Sequence, residues 1–389
     1  MQNLEINAPF LWEYLREVRK PIILYGTGDG ADKILAIMKR YGLRPVCFSM
    51  SGDFANKPDF RGYAVLPFEE VQKRYSDFIL LICFGSDNAD VLERLYALAN
   101  ADGVYAVYAP DAPVAAELHT IADDIYTPDY IEEHADKFAQ TRELFKKDAK
   151  SLEVFDGWLQ YRLSGDLYVL QRIASPRQEV ISLLKLDGKS GQEFFVDAGA
   201  FKGDTVEEFL AAVGQTNGGK PSPTAQFARI IAIEPDIKNF TLLRRKFYPY
   251  GKELFVPVNG AAWSADESLT FSLKSGKAGH VLSGEQLNEY AGRTCSVKGV
   301  KIDTLCEVTP ELKPTFIKID VEGAERAVLE GAKNTITKHR PKMLVSLYHR
   351  SDDMFELPLL LHSWHSGYKF ALRKTHCLPG WEFQLVVYK

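Results

Sequence analysis

The sequence predicts an α/β protein made of two parallel-sheet units in series, joined by a helical segment. Three observations carry this expectation. Apolar runs of strand length alternate with amphipathic helical segments over residues 21–110, and again from Glu193 to the C-terminus. Strands alternating with helices give parallel sheets, because each crossover needs an element of its own. Between the two stretches, residues 111–190 carry almost no strand signal. Each α/β stretch also opens on an apolar run that ends in a glycine-rich turn, "IILYGTGDGAD" at Ile22–Asp32 and "FFVDAGAFKGDT" at Phe194–Thr205. The expected divisions are an N-terminal Rossmann-like α/β domain at 1–110, a helical connector at 111–190 and a second α/β domain at 191–389.

In the first stretch "PIILYG" reads as a buried strand and "ADKILAIMKRYG" as a helix ending at Gly42. "RPVCFSM", "DFILLICFG" and "VYAVYAP" are further strands, with helices "FEEVQKRY" and "NADVLERLYALANADG" between them. In the middle, Leu152, Phe155, Leu159 and Leu163 recur at helical intervals, with Gly165 as the stop. In the last stretch "FFVDAG", "RIIAIEP", "LFVPVNGA", "PTFIKIDVEG" and "PKMLVSLYH" are strands that each run into a polar loop. "YKFALRKT" and "FQLVVYK", joined by "HCLPGWE", close the chain as a hairpin-like pair.

Composition excludes several classes. Of 389 residues, 46% are apolar and 25% charged, as in ordinary globular proteins. A net charge of −5 argues against a nucleic-acid footprint. The five cysteines form no CxxC pair, which suits reduced thiols in the cytoplasm and no zinc site. The longest apolar run, Phe78–Phe84, is far shorter than the roughly 20 residues of a membrane span. The acidic, amphipathic N-terminus is unlike a signal peptide. Oligomeric state is not legible.

The two turns differ in chemistry. Gly26, Gly28 and Ala31 satisfy G-x-G-x-x-G/A, but the next strand ends in Ser49 and Ser51 where a ribose-binding acid belongs, with Asp53 slightly beyond. Nucleotide binding and simple helix-on-strand packing both remain open there. The second turn is D-x-G-x-x-x-G, with Asp197, Gly199 and Gly203. It lacks the third glycine of the dinucleotide pattern and the Gly-Lys-Ser/Thr of a phosphate loop, so it suits a ligand without a pyrophosphate. Asp197 closes its strand at the sheet edge where open α/β folds bind ligands, and an acid there suits a positive amino or sulfonium group. Glu234, at the tip of the next strand, can accept hydrogen bonds from both hydroxyls of a ribose. Together these residues describe an S-adenosylmethionine (SAM) site.

The resemblance becomes specific at "IKIDVEGAERAVLEGAKNTITKHRPKMLVSLYH", Ile317–His349. With "FVDAGAFKGDT", "IAIEPD", "VNGAAWSAD" and "VKIDTL", this stretch resembles the FkbM family of methyltransferases. "YRLSGD", Tyr161–Asp166, resembles longer members that carry an N-terminal Rossmann-like domain. The resemblance implies a class I methyltransferase domain at 191–389 with a seven-stranded sheet. It further implies SAM as cofactor and methylation of a hydroxyl on a small molecule, polyketide or sugar. Carried over by motif, Asp197, Gly199 and Gly203 line the methionine moiety, with Phe201, Asp204 and Thr205 in the same turn. Glu234 and Pro235 flank the ribose, and Asn259, Gly260 and Ala261 the adenine edge. Asp320 faces the methionine amino group or the moving methyl. Asp320 and Glu322 also suit a helix start.

An alcohol acceptor benefits from a base, and histidine titrates nearest the working pH. Of eight histidines, His349, just beyond the fifth strand, and His280, in the glycine-rich loop "LKSGKAGHVLSGE", are the candidates, with Asp320 as a third. His349 is favoured by position. His349, Asp352 and Asp353 could instead hold a metal, but the aspartates cap the following helix equally well, so no metal is expected. Two rival functions are a nucleotide-sugar or NAD-dependent enzyme working through the first domain, and a non-catalytic SAM-binding scaffold.

Overall fold

The computed structural model describes residues 8–51, 58–113, 120–186, 193–214, 227–272, 279–282, 292–307 and 313–389, with residues 6, 118, 216–217 and 220–221. Asp53 lies outside the described residues, as do the flanks of His280 at 273–278 and 283–291. The chain forms two compact units. The first comprises residues 1–177, 350–355 and 372–383, and the second 178–349, 356–371 and 384–389. The helical segment therefore belongs with the first unit as far as residue 177, and late segments of the chain return to it.

The first unit carries strands β1 (Ile22–Tyr25), β2 (Cys47–Met50), β3 (Asp59–Phe60), β4 (Tyr63–Pro67), β5 (Phe78–Ile82) and β6 (Val104–Tyr108) in the order β3-β4-β2-β1-β5-β6. All pairs are parallel except β3–β4. β1 and β5 lie inside the sheet and are buried along their whole length, which is why they read as unbroken apolar runs. The helix Ala149–Ser164 stops at Gly165, whose φ of 63° is the left-handed conformation glycine adopts at low cost. Asp166 then caps the helix Leu167–Ile173 by accepting the Tyr168 N–H at 2.9 Å. Buried Arg162 completes "YRLSGD": its Nε lies 2.6 Å from Asp111 Oδ2, and its guanidinium donates to Ser351 Oγ at 2.8 Å. This motif is thus a structural joint of the first unit. β7 (Ala174–Ser175) pairs with Lys374 and Thr375 in that unit.

The second unit holds β8 (Glu193–Ala198), a short pair β9 (Thr216–Asn217) and β10 (Lys220–Pro221), β11 (Phe227–Glu234), β12 (Phe255–Asn259), β13 (Ala261–Ala262), β14 (Ser268–Ser272), β15 (Val281–Leu282), β16 (Thr294–Val300), β17 (Phe316–Ile319) and β18 (Lys342–Ser346). β19 (Lys369–Thr375) and β20 (Phe383–Tyr388) complete its main sheet, whose order is β12-β11-β8-β17-β18-β20-β19. The pairs from β12 to β18 are parallel, and β20 is antiparallel to β18. The family resemblance implies a seven-stranded methyltransferase sheet; here β7, paired to β19, is an eighth strand of the same sheet. Phe195 of β8 and Phe316 of β17 sit opposite each other in register, their rings stacked at 4.6 Å. Phe209, from the helix Asp204–Ala212, stacks on Phe195 at 4.8 Å and anchors that helix over the sheet. A four-stranded sheet, β13-β16-β14-β15, lies alongside in the same unit. Among the described residues, no helix is long and apolar enough to cross a membrane.

Candidate functional site

The main sheet places the site by its strand order. From β8 the chain winds outward one way to β11 and β12, then returns to the other side at β17 and β18. The carboxyl ends of β8 and β17 therefore flank a topological switch point, where open α/β sheets leave a crevice. Asp197 is the penultimate residue of β8, and the turn after it carries Gly199, Phe201 and Gly203; the turn after β17 carries Asp320 and Glu322.

Gly199 holds φ of +82°, and a Cβ added there would lie 1.9 Å from Asp320 O. Glycine is required because the two switch-point turns pass in backbone contact. Gly203, at φ +89°, leaves room for Phe247, whose ring an added Cβ would meet at 2.2 Å. Phe201, between them, also has positive φ, at 48°. Glu234 holds this bend, since its Oε2 accepts the Phe201 N–H at 2.8 Å and its Oε1 accepts the Asp236 N–H at 2.9 Å. The Asn239 side chain is a third donor to this carboxylate, which leaves it part of its acceptor capacity for a ligand. Burial pushes the Glu234 carboxyl up to about 7, against the pull of those N–H donors.

Asp197 stands differently from the expectation that it lines a ligand. It is fully buried, 3.3 Å from Lys318 Nζ, and neither of its oxygens accepts a well-aligned hydrogen bond. Burial pushes its carboxyl up to about 6, with Lys318 opposing. Lys318 also donates to Gly199 O at 2.7 Å, so the pair fastens the β8 turn to β17 from beneath. Sequence reasoning missed Lys318. Its signal was a lysine inside the apolar strand "FIKI", where a charge persists only if paired.

The residues given to the adenine edge are close to Glu234. Asn259 Nδ2 donates to Glu234 O at 3.0 Å and Pro235 O at 3.2 Å, and Gly260 N donates to Glu234 O at 3.2 Å. Ala261 is buried in β13. Other marks of the motif set are packing devices. Asp266 accepts from Lys301 N and Thr304 Oγ1, and Asp303 accepts from Asn334 N and Thr335 N at the start of the helix Lys333–His339. Asp204 opens the helix Asp204–Ala212, and Thr205 is buried in its first turn.

The expectation of a histidine base titrating near neutrality meets a different arrangement. His349 is fully buried. Its Nδ1 is 2.9 Å from Glu325 Oε1, and its Nε2 is 3.6 Å from both Asp320 Oδ1 and Glu322 Oε2. Burial, the largest influence, lowers its pKa, but Glu325, Glu322 and Asp320 together outweigh it and lift the ring to about 10. Held among three carboxylates, the ring favours its protonated form, unlike the expected base that titrates near neutrality. Asp320 keeps 24% of its side chain exposed and accepts from Tyr348 Oη at 3.1 Å. Partial burial raises its pKa, but Lys318 and His349 more than offset this and hold it below the usual carboxylate range. The carboxylates around the ring are not Asp352 and Asp353; Asp353 instead accepts the Arg350 N–H at 2.9 Å. His280 is buried beside β14 rather than displayed on a loop, with Nδ1 3.2 Å from Ser272 Oγ. Sequence reasoning also missed Glu325, whose signal was the second glutamate of "IDVEGAE".

The first turn is built for packing. A Cβ at Gly26 would meet the Phe84 ring at 2.7 Å, and one at Gly30 would meet Cys83 O at 2.3 Å. Asp29 and Asp32 occupy the first turn of the helix Asp29–Arg40, where a pyrophosphate would need positive potential. Asp32 is held bidentately by Arg61 at 2.7 and 2.8 Å. Beside this turn is a cavity of about 410 Å³ lined by Tyr25, Ser51, Phe68, Phe84 and Arg94. These features weigh against a dinucleotide enzyme working through the first unit.

Comparison with known proteins agrees with the main sheet. Residues 197–370 match the family model described as a methyltransferase FkbM domain. A crystal structure of methyltransferase FkbM from Methylobacillus flagellatus KT superposes with a TM-score of 0.66 at 16% identity, over 100% of this chain and 96% of that one. An rRNA methylase from Streptococcus thermophilus gives 0.31 at 13% identity, over 56% of this chain and 98% of that one. A putative O-methyltransferase from Klebsiella pneumoniae gives 0.29 at 10% identity, over 66% and 98%. No curated protein sequence matches the chain. The family match thus runs across the switch-point turns and identifies residues 197–370 as a methyltransferase FkbM domain.

Proposed function

We propose that this chain transfers a methyl group from SAM, held at the switch point between β8 and β17, to a hydroxyl of a small molecule, polyketide or sugar. The observation that carries the reading is the meeting of the β8 turn, Glu234 and Asp320 at the one place where the strand order reverses. The residues present fit such a cofactor: Gly199 puts no side chain where the two turns meet, and Glu234, with three donors on its carboxylate, retains acceptor capacity for a ribose hydroxyl. Asp320, the partly exposed carboxylate of the edge, is the group for the cofactor's positive end. When bound, SAM supplies a methyl group already activated on a sulfonium, so much of the acceleration falls to positioning by the chain. A hydroxyl acceptor suits a carboxylate-rich edge because it must give up a proton as it reacts. Turnover of hydroxylated acceptors, read as demethylated cofactor released, tests this reading. Transfer confined to amines would overturn the acceptor class.

Glu234 gives a test of the cofactor site alone. Replacing it with alanine should weaken SAM binding by roughly 1.5–3 kcal/mol, the range for hydrogen bonds to a charged group. Unchanged calorimetric affinity would refute the site. The pH dependence has a fixed sign. The ionised carboxylate is the better acceptor, so SAM affinity should rise as pH increases through about 7 and then level off. Glu234→Gln should flatten that rise. In the free protein the same raised pKa works in reverse: its contribution to stability is present below 4.5 and is lost as pH rises through about 7.

A further inference from the structure

The turns after β17 and β18 carry more charge than methyl transfer needs. His349 Nε2 is buried, makes no hydrogen bond, and sits between two carboxylates, 3.6 Å from Asp320 Oδ1 and 3.6 Å from Glu322 Oε2. Its other nitrogen is 2.9 Å from Glu325 Oε1, an oxygen that also accepts the Val321 N–H at 2.9 Å. Donor atoms of Asp320, Glu325 and His349 fall within 4.8 Å of one another. The backbone takes up strain to bring these groups together. Glu322 has φ of 56°, a costly region for a glutamate, and Gly323 follows at 96°.

We propose that His349 Nε2, Asp320 and Glu322 bind a divalent cation of the Mn²⁺ or Zn²⁺ class, with Glu325 fixing the imidazole through Nδ1. A ligating histidine usually donates its second ring nitrogen to a carboxylate, which is the relation of His349 to Glu325. Bonds of about 2.0–2.2 Å in a tetrahedral site put neighbouring ligand atoms roughly 3.3–3.6 Å apart, and the observed separations from Nε2 lie at the top of that range. Charge points the same way. Three carboxylates, Asp320, Glu322 and Glu325, lie within 3.6 Å of the one imidazole. Imidazole among the donors favours a first-row metal over Mg²⁺ or Ca²⁺, which prefer all-oxygen sites. The ring is sealed, while Asp320 and Glu322 keep 24% and 22% of their side chains exposed, so the open coordination positions face outward.

The role of the cation rests on the hydroxyl-acceptor reading above. An acceptor hydroxyl bound at an open position gives its proton to solvent water. Its oxygen then bonds to the methyl carbon as the carbon–sulfur bond breaks, and the electron pair stays on the departing thioether. The ion would displace the Nε2 proton that the carboxylates favour in its absence, and such a site needs no histidine base.

The test uses the full-length chain after chelator treatment, titrated with Mn²⁺ alone and followed by the loss of the free-ion paramagnetic resonance signal. Calorimetry with Zn²⁺ runs in parallel, and SAM affinity is measured on the same samples. The expected result is one ion per chain, with binding abolished in His349→Ala. In Glu325→Gln, which perturbs only the carboxylate behind the ring, affinity should fall about 10–100-fold. Glu322→Gln, a partly exposed position that leaves the core intact, should also weaken the ion while SAM affinity stays unchanged. No binding of either ion by the wild type, or equal binding by Glu322→Gln, would overturn the site. Ion binding without any methylation of hydroxyls would leave the site standing and sink the acceptor reading instead.

Discussion

Arg162→Met should destabilise the protein by about 3–5 kcal/mol, the cost of removing one partner from a buried ion pair. Arg162 and Asp111 are both almost wholly sealed, their side chains 1% and 8% exposed at 2.6 Å. Burial already pushes the Asp111 carboxyl up to about 6, and Arg162 is the group opposing that rise. Without the guanidinium, Asp111 must protonate or remain an unpaired buried charge. Ser351 Oγ would lose a donor as well. Urea denaturation gives the measurement. The double variant Arg162→Met/Asp111→Leu should recover most of the loss, because an apolar pair of similar volume has no desolvation penalty to offset. A single variant within 1 kcal/mol of wild type would show that the pair does not hold the first unit together.

Gly199→Ala should cost nearly as much and remove cofactor binding with it. The positive φ alone costs about 1–3 kcal/mol for a residue with a Cβ. The clash with Asp320 O, at 1.9 Å, adds about 1–3 kcal/mol, because the obstacle is backbone and cannot rotate away. Relief requires the two switch-point turns to separate, which would move Asp320 from Gly199 and misplace the cofactor's cradle. Gly28→Ala is the control. That glycine also has positive φ, at 141°, but an added Cβ would meet nothing within 4 Å, so only the backbone strain applies. The comparison should show a larger fall in denaturation midpoint for Gly199→Ala, with loss of SAM affinity confined to it. Equal losses at the two positions would mean that the close approach is unimportant.

The sequence by itself determined the strands, the parallel sheets and the two turns. Those features are local: an apolar run such as "FILLICFG" must be buried on both faces, and a glycine after a strand marks a bend wherever the chain ends up. It also singled out Glu234 and Asp320, because the tips of parallel strands share one edge of the sheet. What tertiary structure alone decided was the protonation and partnering of those groups. Asp197 and Lys318 stand 121 positions apart in sequence, and only the pairing of β8 with β17 sets one against the other. His349 follows a different strand from Glu322 and Glu325, so no spacing rule announced that three carboxylates would surround it. A side chain's pKa is set by what is packed within a few ångströms and by how much water is excluded, and neither is a property of the local sequence. For the same reason "YRLSGD" was readable as a motif but not as a buried ion pair. Its partner Asp111 lies 51 residues upstream, and the interaction exists only once the first unit has closed around both charges.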